Sequence, residues 1–351
     1  WLLGMLLFTG CDDYLKEDSG DLLIPGKVDE FLPMLYKEGF PQNFNEEVAW
    51  LYLMTDDVEM GQLELDPDDE SYETRDKNSL DVLSAGEGEE PYKWEREIKS
   101  YADNFWERRY GNILACNLVI DALPKMKYVE ADSGVYNFLA AQAYALRAYY
   151  YWCLVNSYAL PWSKENLDKP GVIIRTEPQI DISARGRSSI RDVYDLINGD
   201  IKEAEKYIKV ATFDGNIHRL SEPAILLLAS RIALFQENWD EVIRTGELFL
   251  AQNSVILNLN DQDTTLFGTE KGLNNKIFTM MDGTINKEVV FTFGTSSYTP
   301  YDYLSTSGAF YGLGFRPSHS TDESLIRSYE EGDLRKKAYF LKDVPAKKAE
   351  S

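Results

Sequence analysis

Histidine is almost missing from this chain. Of 351 residues only His218 and His319 carry an imidazole, and neither has a Cys or Glu partner at metal-ligand spacing. No zinc site can be assembled from such a supply. Basic residues are scarce as well: 36 Lys and Arg stand against 59 Asp and Glu, a formal charge of -23. A surface of that sign repels nucleic acid and anionic lipid, so the partners it suits are neutral or cationic. Catalytic motifs are lacking too. There is no G-x-S-x-G elbow, no P-loop and no complete G-x-G-x-x-G, since Gly312 and Gly314 sit in a tyrosine-rich loop without the rest of that pattern. A glycosidase would need two carboxyl groups facing each other across a cleft, which no count of acidic residues reveals. Cysteine is limited to three, and Cys116 and Cys153 fall inside apolar helical patterns. They read as small buried hydrophobes, not as a disulfide or a reactive pair.

The apolar stretch from Leu139 to Pro161, LAAQAYALRAYYYWCLVNSYALP, has the length of a membrane span. Gln142, Arg147, Asn156 and Ser157 interrupt it, and its aromatics do not suit lipid. Leu139, Ala143, Leu146, Tyr150, Cys153 and Leu154 recur at spacings of three and four, which predicts a central helix buried on most sides. Arg147 within it is expected to be an ion-pair partner in the structure, not a ligand. Helical periodicity also covers Ser100 to Leu123, ended by Pro124. It returns in RSSIRDVYDLINGDIKEAEKYI, capped by Ser188 or Ser189, with Ile190, Val193, Tyr194, Ile197, Ile201, Ala204 and Ile208 on one face. Ser221 to Asn253 forms a helix-turn-helix of 33 residues, with its turn at Glu237-Asn238. That scheme matches a tetratricopeptide unit, which covers its apolar faces only by stacking on neighbours.

Elsewhere the period fails. Residues 12–55 read as a tether and short helices, with the Val28, Phe31, Leu32, Leu35 stripe interrupted by Pro33. Residues 56–90 hold 14 acidic residues against Arg75 and Lys77, a net of -12, and read as a solvated exposed loop. Asp66, Asp68, Asp69 and Glu70 offer carboxylates for calcium, but no EF-hand spacing organises them, and the expectation is no metal. After residue 254 the expected strand is Val289 to Phe293, among Gly-, Ser- and Tyr-rich loops. Loop aromatics are the remaining candidates for chemistry, because C–H faces of sugar rings stack on aromatic rings. Tyr72, Tyr92 and Trp94 lie in or beside the acidic loop, and Tyr298, Tyr301, Tyr303 and Tyr311 in the later ones. Packing of the loops accounts for any one of them equally well.

Three segments carry a family resemblance. The A-x-A-x-x-L-R-A-Y-Y-Y-x-x-L-V-N-x-Y run closing on Pro161, the NLVIDALP segment before it, and the R-x-S-I-x-x-V-Y-x-x-I-x-x-D-I-x-x-A helix resemble the SusD/RagB family. Those are surface lipoproteins of nutrient-uptake systems in Bacteroidetes. The opening WLLGMLLFTG followed by Cys11 resembles the end of a lipoprotein signal peptide, with Phe8 where Leu is usual and Asp12-Asp13 like an acidic export tag. The resemblance implies a mainly α fold with tetratricopeptide-like repeats, loop-rich segments and a few short strands. It divides the chain into a clipped signal peptide (1–10) and one domain (11–351). In that domain the helical scaffold covers about 100–253 and the ligand regions 56–95 and 254–343. It further implies lipidation at Cys11, an outer-membrane surface location, no cofactor and no catalysis. The implied ligand is an oligosaccharide, handed to a TonB-dependent SusC-like transporter. Peptide capture of the RagB type and a protein-binding tetratricopeptide scaffold stay open as alternatives. Family members continue beyond this chain's last residues, so Leu226, Leu227, Ile232, Phe235, Val242 and Phe249 are expected to be partly uncovered.

Overall fold

The computed structural model describes residues 27–42, 54–60, 89–97, 105–126, 128–180, 183–266, 287–293, 315–318, 321 and 323–338. Its centre is helix α4, Ser133–Tyr158, which starts six residues before the apolar stretch predicted it. The predicted face is fully packed: Leu139, Ala143, Tyr150 and Leu154 are all 0% exposed. Burying one large apolar side chain contributes roughly 1.5–3 kcal/mol. Phe138, Leu139, Leu146, Leu154 and Val155 therefore anchor this helix far more firmly than any single polar contact.

Two helices flank α4. On one side lies α3, Phe105–Ala122, continued by a tight turn Leu123–Lys125 that carries Pro124. On the other lies α5, Ile190–Ile208. Of the two serines offered as its cap, Ser189 does the work. Its hydroxyl accepts from the Asp192 amide at 3.1 Å, and the Asp192 carboxylate accepts from the Ser189 amide at 3.2 Å. This reciprocal pair is a capping box. All seven predicted apolar positions of α5 are buried.

The hairpin α6 (Glu222–Phe235) and α7 (Trp239–Gln252) stacks beyond α5. Ser221 caps α6, accepting from the Ala224 amide at 3.3 Å, and Asn238 caps α7, accepting from the Glu241 amide at 3.3 Å. Glu237 makes the turn in left-handed backbone, φ 55°. Gln142 ties α4 to this hairpin: its side chain donates to the Leu220 carbonyl and accepts from the Leu220 amide, both at 2.8 Å. The residue that broke the membrane-like run is thus a fully satisfied buried amide. Gly134 allows another close approach, since a Cβ there would strike the Thr212 side chain.

The open face of the repeat is as expected in part. Leu226 and Ile232 are buried, Val242 and Phe249 half-buried, and Leu227 and Phe235 exposed. Trp239, Ile243 and Leu250 of α7 are exposed as well, at 58%, 58% and 61%.

Three expectations need correction. Val289–Phe293 is not a strand. Among the described residues its backbone bond is from the Thr292 amide to the Ile217 carbonyl, in a segment already folded into Asx turns at Asp214 and Asn216, which does not continue as a ladder. Pro33 does not interrupt the first helix. Helix α1, Val28–Met34, runs through it and widens into a π turn over Leu35–Gly39. Residues 58–60 are not loop: β1, Val58–Met60, pairs antiparallel with β2, Phe315–Pro317. Ser318 locks that pairing by donating to the Asp56 and Asp57 carbonyls, both at 2.8 Å. Among the described residues there are also three short α-helices, α2 (Glu89–Tyr92), α8 (Leu325–Ser328) and α9 (Leu334–Ala338), and 3-10 turns at Glu130–Asp132, Leu259–Asp261 and Thr264–Leu266.

Candidate functional site

Of the seven candidate ligand residues, the structure describes Tyr92 and Trp94; Tyr72, Tyr298, Tyr301, Tyr303 and Tyr311 lie outside the described residues, as do Cys11 and the Asp66, Asp68, Asp69, Glu70 group. Tyr92 ends α2 and is half-buried. The turn closes with the Glu95 amide donating to the Glu90 carbonyl at 3.0 Å. Within it Trp94 adopts φ 54° with 67% of its surface exposed. Left-handed backbone at a bulky residue costs on the order of 1–3 kcal/mol. An exposed indole recovers little of that by burial. Strain of this kind accumulates where a side chain is presented for a purpose. Lys93, Glu95, Arg96 and Glu97, its neighbours in sequence, are exposed as well, so polar side chains flank the indole along the chain. A flat apolar face with donors and acceptors beside it can hold a molecule that is apolar on its faces and polar at its edges.

The helical scaffold contains a buried polar network that periodicity alone did not reveal. The Arg147 guanidinium donates to both Asp200 carboxylate oxygens, at 2.8 and 2.7 Å, and to Asn117 Oδ1 at 2.9 Å. This joins α3, α4 and α5 through one side chain, in the ion-pair role expected for Arg147. Burial pushes the Asp200 carboxyl up, while its bonds to Arg147 pull it down. Asn117 in turn donates to the Arg175 and Glu177 carbonyls, at 3.0 and 3.2 Å. The Tyr151 hydroxyl donates to the Arg175 carbonyl at 2.7 Å, and the Tyr110 hydroxyl to the Ile173 carbonyl at 2.6 Å. The segment 173–177 is therefore strapped to the bundle by helix side chains. Burial also raises the Tyr151 hydroxyl to about 12, so it stays a neutral donor. Cys116 is fully enclosed, its thiol pushed up by burial, and Cys153 is buried. Both pack as small buried residues, as predicted.

Among the described residues no group of His, Cys, Asp or Glu could hold a metal ion, and no helix is long and apolar enough to cross a membrane.

A family model described as starch-binding associating with outer membrane, the SusD-like model, matches residues 34–234. That is more than half of the chain. It belongs to the SusD-like family. The SusD-like protein P38 of Formosa agariphila is 27% identical over 158 residues, which cover 44% of this chain and 27% of that protein. A SusD-like carbohydrate binding protein of Bacteroides vulgatus superposes with a TM-score of 0.61 at 19% identity, over 89% of this chain and 60% of that one. The surface glycan-binding protein A of Bacteroides fluxus gives 0.55 at 16% identity, over 90% and 64%. This SusD-like chain therefore spans about a quarter of the curated relative's length and about three-fifths of these structures. At such identities the structural likeness is one of fold, mainly α as the resemblance implied, and the stacked helix pairs are compatible with tetratricopeptide-like repeats.

Proposed function

We propose that this chain captures glycans at the surface of the outer membrane and delivers them to a SusC-like TonB-dependent transporter. The observation that carries the reading is Trp94, a two-thirds exposed indole on a strained turn, in a chain whose family is described as starch-binding. Tyr92 and Trp94 supply the stacking surface, and Tyr72, Tyr298, Tyr301, Tyr303 and Tyr311, outside the described residues, are the further candidate ligand residues. Binding needs no cofactor and breaks no bond: a stacked pyranose is released as it was bound. Transport then consumes the bound glycan without chemistry on this chain. Attachment to the membrane comes from a lipid on Cys11, with residues 1–10 removed as signal peptide, and the rest of the chain forms one domain.

Isothermal titration with maltoheptaose, laminariheptaose, xylohexaose and mannohexaose tests the binding step. Saturable binding of one of them, without release of reducing ends on prolonged incubation, is expected. Turnover that disappears on changing a single carboxylate would make the protein a hydrolase and overturn the reading. Fatty-acid labelling tests the anchor: the precursor should take label and the Cys11→Ala variant should not.

A further inference from the structure

Helix α7 presents an apolar face to water. The outer face of a surface helix is ordinarily polar. On α7 it carries Trp239, Ile243, Gly246 and Leu250, and the three large side chains are exposed. Their spacings are four, three and four, the rhythm of the a and d positions in a coiled-coil seam. Gly246 stands inside that seam with no atom within 4 Å of where a Cβ would sit, so the surface is open there to a close approach. The neighbouring helix does not repeat the pattern: on α6 the exposed Leu227 and Leu234 are separated on their face by the exposed Arg231.

One edge of the seam is acidic. Asp240 and Glu247 stand one residue beyond Trp239 and Gly246, at the e positions, about 10 Å apart along the helix. Both are exposed, and neither forms an ion pair among the described residues. The lone arginine of α7, Arg244, is already engaged, donating to Glu205 at 2.7 Å and to Glu241 at 2.6 Å. The charge along this edge is therefore uncompensated.

These features select the occupant. From Trp239 to Leu250 the seam runs about 16 Å and is one helix wide, whereas a stable pair of folded domains needs roughly 800 Å² from each partner. A second copy of this chain matches poorly. Antiparallel pairing of α7 with itself sets e against e, so Asp240 and Glu247 meet their like; parallel pairing sets them against g positions held by Val242 and Phe249. Anionic lipid is repelled by the same edge. A helix with an apolar seam and Lys or Arg beside it satisfies both parts of the surface.

We propose that α7 is a docking site for an amphipathic helix of a partner protein, one with an apolar seam and a basic edge. The seam of that helix covers Trp239, Ile243 and Leu250, a large side chain seats over Gly246, and its basic groups pair with Asp240 and Glu247. The surface lies on a different element from the Trp94 turn, and the inference does not depend on glycan binding.

Two designed three-heptad peptides probe it, both with Leu and Ala in the seam, one with Lys and the other with Glu at every e and g position. Fluorescence anisotropy follows each labelled peptide against the full chain. The Lys peptide should bind and the Glu peptide should bind about tenfold more weakly or worse, since like charges then meet across the interface. Asp240→Lys with Glu247→Lys should shift that preference toward the Glu peptide by about tenfold. Trp239→Lys with Ile243→Glu should weaken the Lys peptide by about tenfold or more, with circular dichroism unchanged. Lys-peptide binding that both double variants leave unaltered is general attraction to an acidic chain and overturns the proposal, as does binding of neither peptide. Sedimentation of the full chain alone as a dimer, lost in Trp239→Lys with Ile243→Glu, makes a second copy the occupant and overturns it too.

Discussion

Replacing Asp200 by Leu is the sharpest test of how the scaffold is held. Asp200 is 3% exposed and Arg147 6%, and two charge-assisted bonds of 2.8 and 2.7 Å join them. Without the carboxylate, Arg147 keeps only its bond to Asn117 Oδ1 within this network. Removing one partner of a buried pair costs about 3–5 kcal/mol, because the remaining charge stays buried and uncompensated. Set against a total stability of roughly 5–15 kcal/mol, that is a large fraction. At roughly 2–4 °C per kcal/mol, Tm should fall by roughly 6–20 °C, the lower end suiting a long chain. The double variant Arg147→Met, Asp200→Leu should recover most of the loss, since apolar groups of similar volume replace buried pairs at little cost. Urea melts of the three proteins measure this directly. Hydrogen exchange adds a second readout: amides of 173–177 should exchange faster in Asp200→Leu, because Asn117 positions that segment. An Asp200→Leu protein within about 0.5 kcal/mol of wild type, the range of an ordinary surface change, would refute the reasoning.

Other outcomes follow from single contacts. Gly134→Ala should destabilise by about 1–3 kcal/mol through overpacking against Thr212, and Thr212→Ala in the same chain should recover part of it. Ser189→Ala removes one half of the α5 capping box and should lower stability by about 1 kcal/mol in a urea melt. Trp239→Lys with Ile243→Glu should raise solubility without lowering Tm, since both side chains are 58% exposed; a fall in Tm would show that they pack in solution. Cys116 should resist a thiol reagent in the native state and react only on unfolding.

The helices were legible because their information is local. Apolar spacing placed the face of α4, and the serines at 188 and 189 announced the start of α5, although only the structure selects Ser189 and adds Asp192 to the cap. The turn at Glu237-Asn238 was readable from the break between two stripes. What escaped is long-range. Nothing near Val58 tells that it pairs with Pro317, a partner set by chain topology and locked by Ser318. The strand expected at 289–293 failed for the same reason, because extended propensity needs a free edge and its neighbour was already turned. Among candidate ligand residues, Trp94 was legible as a loop aromatic, but its left-handed backbone was not. Arg147 was readable as an ion-pair partner, yet Asp200 and Asn117 became its partners only once three helices were packed.

The central claim is that an exposed loop indole holds a sugar ring. Titration of wild type and Trp94→Ala with the glycan that binds tests it most directly, with circular dichroism and Tm as controls for folding. Trp94 is exposed, and Ala keeps the Cβ that makes its left-handed backbone costly, so removing the ring should leave Tm unchanged. Affinity at the turn should fall by about tenfold or more, ~1.4 kcal/mol per decade. Equal affinity and stoichiometry in the two proteins would contradict the account.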